Sequence, residues 1–173
     1  FMEIAIVPNI SDEGDKKRTI DELPQSGVGK TIMTMEPKFV PNNSVMINVE
    51  DSLNINVRLV DCVGYVIKDA KGYQDDDGVR MVKTPWSDQL LPFEEAAEVG
   101  TKKVITEYST IGILVTTDGS FGDIPRKNFI EAERRTIAQL NETNKPFVVV
   151  LNTANPEDEK TKNANENSEM DKT

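Results

Sequence analysis

The 173-residue sequence contains no histidine, a single cysteine and few aromatic residues, which make up 6% of the chain. Without histidine, the chain itself cannot form a histidine-ligated metal site or a serine–histidine catalytic triad. The single cysteine, Cys62, excludes a disulfide framework within the chain and fits a reducing compartment. We expect no signal peptide, and no apolar run is long enough to span a membrane.

Positive charge is also scarce. The chain has 20 Lys and Arg residues against 30 Asp and Glu residues, and its formal net charge is −10. An acidic surface repels phosphates, so we expect no nucleic-acid partner, and any phosphate-binding site must be local. The length and the 37% hydrophobic content are sufficient for one domain with a real core.

The most informative stretch is a short apolar run that ends in Asp61-Cys62-Val63-Gly64. Many nucleotide hydrolases use a strand that ends in a carboxylate, followed by a glycine, to hold magnesium and to sense a γ-phosphate. The glycine frees the turn and lets its N–H approach a phosphate. By itself the pattern also fits a strand that ends in an ordinary turn, so the surrounding elements must decide.

A second motif resembles the phosphate-binding P-loop but does not fulfil its pattern. Gly29-Lys30-Thr31 matches the end of Gly-x-x-x-x-Gly-Lys-Ser/Thr, whereas Pro24 occupies the position of the first glycine. A P-loop also needs a buried strand before it and a helix after it. Here a charged segment precedes the motif, and Pro37 and Pro41 follow it, so we do not assign Lys30 as the P-loop lysine.

The pattern of apolar residues predicts alternating strands and helices between Thr31 and Leu151. The segment Ser11–Glu22 is predicted to be a loop or a short helix, and Tyr65–Pro92 a long insertion without structure of its own. Residues 157–173 are predicted to be a polar tail that is disordered or truncated. The predicted elements are an extended segment Thr31–Pro41, hairpin strands Val45–Val49 and Leu53–Val60, a helix Phe93–Tyr108, a strand Thr110–Thr117, a helix Phe129–Glu142 and a strand Pro146–Leu151.

Three of the predicted strands are expected to be buried and to end at Asp61, Asp118 and Asn152. This order indicates a P-loop nucleotidase-like α/β fold, with a doubly wound, mostly parallel sheet and an antiparallel hairpin at its edge. In that layout Thr34 is the switch threonine that reaches magnesium and the γ-phosphate, Asp61 is the Walker B carboxylate, and Gly64 is the γ-phosphate sensor.

Asn152 is then expected on the base side of the nucleotide. GTP-specific members of this class carry Asn-Lys-x-Asp at this position, and the aspartate accepts hydrogen bonds from guanine. This chain has Asn152-Thr153-Ala154-Asn155, without the lysine or the aspartate. We therefore expect ATP rather than GTP as the nucleotide.

The chain also resembles a known family over residues 1–156, namely the stage IV sporulation protein A family of spore coat morphogenetic ATPases. Runs this long are more specific than any short motif. The runs that carry the resemblance are LPQSGVGKTIMTMEPKFVP, VRLVDCVGY, RMVKTPW, PFEEAAEVGTKKVITEYSTIGILVTTDGS and NKPFVVVLNT.

The resemblance implies a translation-factor-like P-loop nucleotidase that binds and hydrolyses ATP with magnesium. It implies self-assembly into a polymer, together with other spore coat morphogenetic proteins and a small membrane-associated anchor peptide. The implied location is the mother-cell cytoplasm, at the periphery of the outer forespore membrane.

The resemblance further implies that residues 1–156 are a partial ATPase domain. The family's N-terminal strand and P-loop are expected upstream of Phe1, and its other domains downstream. The family places two threonines before Glu-Pro where this chain has Thr34-Met35, which leaves Thr34 as the switch residue. Two alternatives remain open: a switch GTPase of the translation-factor class, and a non-catalytic assembly module.

Overall fold

The computed structural model describes residues 6–23, 35–50, 52–70, 74–75, 78–120 and 123–157. Within these ranges the chain is an α/β protein with antiparallel hairpins and one parallel strand pair. The chain divides into two compact units. The first contains the described residues of 6–23 and 37–61, and the second contains those of 35–36 and 62–157.

The first unit is built on a long antiparallel hairpin, as predicted. Strand β1 (Lys38–Glu50) pairs with strand β2 (Leu53–Asp61), and the register ends with Lys38 opposite Asp61. Alternation along the strands directs one apolar side of the hairpin toward the short N-terminal segment. The buried cluster consists of Ile6, Ile10, Val45 and Ile47, with Val57 and Leu59 packed against it.

The predicted extended segment is described from Met35 onward, and its residues Lys38–Pro41 are the first part of β1. The register between β1 and β2 shifts between Val40 and Val45, and Pro41 lies within this irregularity. Proline has no N–H to donate to a strand ladder, so bulges are among the few places where a strand accepts it. The Pro41 side chain is fully buried.

The charged segment that follows Ile10 folds as helix α1 (Glu13–Glu22), which decides between the predicted loop and short helix. The Asp12 carboxylate caps this helix by accepting a 2.8 Å hydrogen bond from the Asp15 N–H. At its other end, the Glu22 carboxylate accepts a 2.7 Å hydrogen bond from the Asn42 N–H. The helix is therefore fastened to β1 by a side chain as well as by packing.

The described part of the second unit contains two α-helices and a parallel strand pair. Four short strands precede its helices, namely β3 (Gln74–Asp75), β4 (Gly78–Val79), β5 (Met81–Thr84) and β6 (Ser87–Pro92). Helix α2 (Phe93–Lys103) continues as a π-helical turn over Val104–Tyr108, which confirms the predicted helix to Tyr108. Helix α3 (Ile130–Glu142) begins one residue later than predicted, after a 3-10 turn. Strands β7 (Gly112–Thr117) and β8 (Phe147–Asn152) pair in parallel, as the predicted α/β order requires.

Helix α2 buries the face that the sequence pattern predicted. Phe93 and Ala97 are each 1% exposed and Ala96 is fully buried, whereas Glu94 and Glu95 face solvent near the N-terminus, where the helix dipole favours negative charge. The cluster around this face is Met35, Phe93, Ala96 and Ala97, with Val63, Val66, Val82 and Leu91 packed against it.

The Lys145 ammonium joins the end of the π-helical turn to the start of β8. It donates hydrogen bonds of 2.8, 2.7 and 2.7 Å to the backbone carbonyls of Ile105, Thr106 and Ser109. Helix C-termini leave carbonyls without intrahelical partners, and a cation there also interacts favourably with the helix dipole. All three ammonium protons are used, so the side chain fixes the beginning of the parallel pair.

The expectation that residues 65–92 lack structure is wrong. The described part of this segment contains two small antiparallel hairpins: β3 (Gln74–Asp75) with β4 (Gly78–Val79), and β5 (Met81–Thr84) with β6 (Ser87–Pro92). The sequence signal for the second was present, because Met81–Thr84 and Ser87–Pro92 flank a two-residue turn.

The turn of the second hairpin brings Trp86 against helix α2. A Cβ atom on Gly100 would lie 3.0 Å from Cη2 of the Trp86 indole and 3.1 Å from Cζ3. Glycine at this position therefore allows the indole to approach the helix closely. The insertion is packed onto the helix that follows it.

The expectation that β2, β7 and β8 are buried strands is also wrong, since each has exposed residues along its length. Helix α3 covers one side of β7, where Gly112 and Thr116 are buried, but Val115 and Val148 are 55% and 50% exposed. A two-stranded sheet with a helix on one face leaves its other face open. The doubly wound arrangement of β2 with β7 and β8 stays a prediction, as does the division at residue 156.

The burial of Phe93 leads to a test of stability. We expect Phe93→Ala to lower the free energy of unfolding by about 3–5 kcal/mol, because it opens a cavity in the cluster around α2. Leu90→Ala is the control, since Leu90 is 59% exposed and its loss should cost about 0.5 kcal/mol or less. Urea unfolding measures both, and equal effects of the two substitutions would contradict the assignment of this core.

Candidate functional site

The carboxyl ends of β7 and β8 lie side by side. Thr117 is the register partner of Asn152, so both strands end at the same level. Asp118 follows one strand and Thr153 the other. In parallel α/β sheets, ligands bind beyond the carboxyl ends of the strands, so this edge is a candidate site on topology alone.

Hydrogen bonds join the two loops that leave this edge. The Thr153 hydroxyl donates to Oδ2 of Asp118 at 2.6 Å, and the Ala154 N–H donates to the Ser120 hydroxyl oxygen at 3.0 Å. Oδ1 of Asp118 accepts from the Ser120 N–H at 2.8 Å. We call this set of contacts between Asp118, Ser120, Thr153 and Ala154 the edge clasp.

The turn after β7 also packs closely against Arg126. Gly119 has φ +84°, and a Cβ atom there would lie 2.9 Å from the Arg126 backbone nitrogen, so both conformation and space require glycine. The Arg126 guanidinium forms a two-pronged ion pair with Glu133 of α3, at 2.7 and 2.6 Å. Glu133 also accepts a hydrogen bond from the Thr116 hydroxyl in β7. This network links helix α3 to the C-terminal end of β7.

Asn152 lies at this edge, where the sequence placed it. It is the last residue of β8 and is exposed. Sequence reasoning singled out Asn152 but gave no role to Asp118 or Thr153. The signal that could have found them was positional, because each is a polar residue directly after one of two neighbouring strands.

The other predicted site residues are described in different parts of the chain. Asp61 is the exposed last residue of β2 and belongs to the first unit. Gly64 belongs to the second unit and has φ +78°, with no atom within 4 Å of the position that a Cβ would take. The glycine is therefore required by the backbone conformation and not by crowding. Thr34 and the Gly29-Lys30-Thr31 motif lie outside the described residues.

The segment that follows Gly64 is anchored to both helices of the second unit. Tyr65 is 8% exposed, and the Arg135 guanidinium lies 4.1 Å from the centre of its ring. Arg135 in turn forms a 2.6 Å ion pair with Glu98 of α2. Burial raises the pKa of the Tyr65 hydroxyl, the Arg135 charge acts in the opposite direction, and Glu98 and Cys62 add to the increase.

A second anchor holds the same segment a few residues later. The side-chain amide of the buried Asn128 donates to the Lys68 carbonyl at 3.0 Å and to the Asp69 carboxylate at 2.7 Å. Asp69 has φ +68°, a left-handed conformation that is uncommon for residues other than glycine. The anchors at Tyr65 and Asn128 together fix the course of the chain beyond Gly64.

A cavity of about 330 Å³ lies between this anchored segment, β7 and α3. Its walls are largely apolar, with Val66, Leu114 and Phe129 among them, and Thr116 and Glu133 add polar groups. Because Glu133 is already paired with Arg126, the cavity offers little unsatisfied hydrogen-bonding capacity. The cavity therefore leaves unoccupied volume beside the segment that follows Gly64.

The fit of the implied magnesium ion rests on Asp61. Among the described residues, no group of three or more acidic or cysteine side chains could hold a metal ion. Magnesium in nucleotide sites needs no such group, because it is bound by one or two carboxylates together with substrate phosphates and water. A single exposed carboxylate at a strand end fits that mode of binding. In the part of the chain that is described, no helix is long and apolar enough to cross a membrane.

These features define the chain as an α/β protein with a polar edge at the ends of a parallel strand pair. The sequence matches the family model for the ATPase domain of stage IV sporulation protein A over residues 1–172. The chain therefore belongs to the stage IV sporulation protein A family, which confirms the resemblance found in the sequence.

Three relatives with that name support the assignment. Identity is 58% to the protein of Bacillus subtilis (strain 168) and 56% to that of Bacillus anthracis, each over 156 residues and 90% of this chain. Identity to the protein of Clostridioides difficile (strain 630) is 54% over 161 residues, or 93% of this chain. The chain spans about a third of the length of each relative, 32%, 32% and 33%. No solved structure matches it.

The burial of Tyr65 predicts a pH dependence of stability. The hydroxyl has a raised pKa in the folded protein, so its contribution is fully present below the ordinary tyrosine pKa of about 10 and is lost as the pH rises toward the folded-state value. We expect Tyr65→Phe to weaken the decline in the free energy of unfolding in this alkaline window. Urea unfolding as a function of pH measures the effect, with tyrosinate absorbance as a direct titration. An unchanged decline in the variant would contradict the prediction.

Proposed function

We propose that the chain is part of an ATP-binding and ATP-hydrolysing morphogenetic protein that self-assembles at the forespore surface as the base of the spore coat. Membership of the sporulation ATPase-domain family supports the coarse assignment. The observation that carries the chemical part is Asp61 at the end of β2, followed three residues later by Gly64 in a left-handed conformation.

Each predicted site residue has a role in this proposal. Bound magnesium would neutralise negative charge that develops on the phosphate oxygens. The Asp61 carboxylate holds the ion, and the Thr34 hydroxyl is its second ligand from the chain. The Gly64 N–H donates to the γ-phosphate, because a residue without a side chain lets the backbone approach closely. Asn152 contacts the base.

The anchored segment after Gly64 supports this assignment physically. A backbone donor stabilises charge best when it is oriented before the reaction, since no reorganisation is then required. Tyr65 under Arg135 and the two hydrogen bonds from Asn128 restrict the chain directly beyond Gly64. The glycine is therefore presented from a constrained segment.

The proposed setting follows from the family and not from the site. The partners would be further copies of the protein, other spore coat morphogenetic proteins and a small membrane-associated anchor peptide. The location would be the mother-cell cytoplasm, at the outer forespore membrane. Exposed apolar side chains such as Val115 and Val148 are compatible with contacts to other molecules, which also keeps the non-catalytic assembly module as an alternative.

The proposal predicts that Asp61→Ala abolishes magnesium-dependent ATP hydrolysis by the intact protein, because the ion loses its carboxylate ligand. The control is Asp88→Ala, which removes an exposed carboxylate from β6 and should leave the rate unchanged. Phosphate release measures both variants. Full activity of Asp61→Ala would overturn the site, and an inactive wild-type protein would favour the assembly module.

Competition between nucleotides distinguishes ATP hydrolysis from the alternative of a switch GTPase. The loop Asn152-Thr153-Ala154-Asn155 has no carboxylate to accept from guanine, so ATP should compete better than GTP for the intact protein. The measurement is displacement of a fluorescent ATP analogue by each unlabelled nucleotide. A clear preference for GTP would replace ATP with GTP in the proposal.

A further inference from the structure

We propose that Asp118 and Thr153 are positioning residues that hold the loop after Asn152 in place for the base of the nucleotide. They act through the edge clasp defined above and need not contact the nucleotide. The inference rests on the proposed function, because it takes Asn152 to be the residue on the base side and ATP to be the ligand.

The clasp begins where the strand ladder ends. The last paired residues are Thr117 and Asn152, so the backbone beyond Asn152 has no further partner in the ladder. The next residues are instead held by side chains: the Thr153 hydroxyl by Asp118, and the Ala154 N–H by Ser120. The loop is fixed to β7 across the edge.

The Thr153 hydroxyl has a central position in these contacts. It donates to Asp118 at 2.6 Å and accepts from the Asn155 N–H at 3.0 Å. A hydrogen bond to a carboxylate is stronger than one between neutral groups. Removing this single oxygen therefore deletes the side-chain contact of the loop with Asp118 and the contact within its own turn, while the side chain can keep its volume.

An ordered loop matters for binding more than for hydrolysis. Ordering an exposed loop when a ligand binds costs free energy, and a loop that is already ordered avoids this cost. The reacting phosphate lies at the other end of ATP from the base, where the proposal assigns Thr34, Asp61 and Gly64. Loss of the clasp should accordingly raise the KM for ATP and leave kcat nearly unchanged.

Thr153→Val in the intact protein tests the inference, because valine keeps the shape of threonine without its hydroxyl. We expect the KM for ATP to rise about tenfold, with kcat within about twofold, since one charge-assisted hydrogen bond and one neutral one are lost. Thr153→Ser keeps the hydroxyl and should restore the wild-type KM. Phosphate release at varied ATP concentration gives both constants.

The matched control is Thr106→Val. The Thr106 hydroxyl also makes one short hydrogen bond, 2.8 Å to the Lys102 carbonyl, but it lies on the π-helical turn. This substitution should leave the KM and kcat for ATP unchanged. It separates the effect of the clasp from the general effect of deleting a threonine hydroxyl.

A second variant, Asp118→Asn, covers the case in which Thr153→Val folds poorly. The amide oxygen can still accept from the Ser120 N–H, while the other acceptor of the carboxylate is lost. We expect a smaller increase in KM than for Thr153→Val, again with little change in kcat. If the KM of Thr153→Ser is raised as much as that of Thr153→Val, a role for the hydroxyl is contradicted.

The outcomes separate this inference from the proposed function. If wild-type protein hydrolyses ATP and Asp61→Ala does not, but Thr153→Val keeps the wild-type KM, the positioning role is wrong and the proposed function stands. A loss in kcat at unchanged KM would also overturn it. If Asp61→Ala hydrolyses ATP normally, the proposed site fails, and the inference fails with it.

Discussion

The parallel register of β7 and β8 is the constraint on which the second unit depends. It requires close packing at one end, where a Cβ on Gly112 would lie 2.7 Å from Leu140 Cδ2 and 2.9 Å from Phe147 Cβ. A larger residue would push α3 or β8 away. Lys145 fixes the same end through three carbonyls, and the edge clasp fixes the other end. The strand pair is thus fastened before its first residue and after its last.

The anchored segment and the edge clasp follow the same physical logic. In each, a loop next to a predicted site residue is held by side chains of neighbouring elements: Tyr65 and Lys68 beyond Gly64, and Thr153 beyond Asn152. The site residues themselves remain available for other contacts. Arrangements of this kind put the ordering cost into folding, where the core offsets it, and not into ligand binding.

The sequence was most informative where a periodic apolar pattern determines structure. The face of α2 from Phe93 to Val104 and the hairpin of β1 with β2 were predicted because alternation or helical spacing is a local property. The small hairpins between Gln74 and Pro92 were missed, although the two-residue turn between β5 and β6 is a sequence signal. The packing of Trp86 on α2 is a tertiary contact that the local pattern does not encode. The exposed side of β7 was missed because an apolar strand does not encode how many layers cover it.

The residues of the candidate site show the same difference between local sequence pattern and tertiary contact. Asp61, Gly64 and Asn152 could be singled out because each occupies a recognisable position at or just after a strand end. Asp118 and Thr153 also follow strand ends, but their mutual contact joins residues 35 positions apart, and the contact of Arg135 with Glu98 joins residues 37 positions apart, which local spacing does not encode. Thr34, the remaining prediction, lies outside the described residues.

The contact of Trp86 with Gly100 has an optical consequence. Trp86 is the single tryptophan of this sequence, and its indole is half-buried against α2. Indole emission responds to the polarity around the ring. The tryptophan fluorescence of the chain therefore depends on the packing of the β5–β6 hairpin against α2. A ligand or partner that displaces this hairpin would shift the emission without any label being attached.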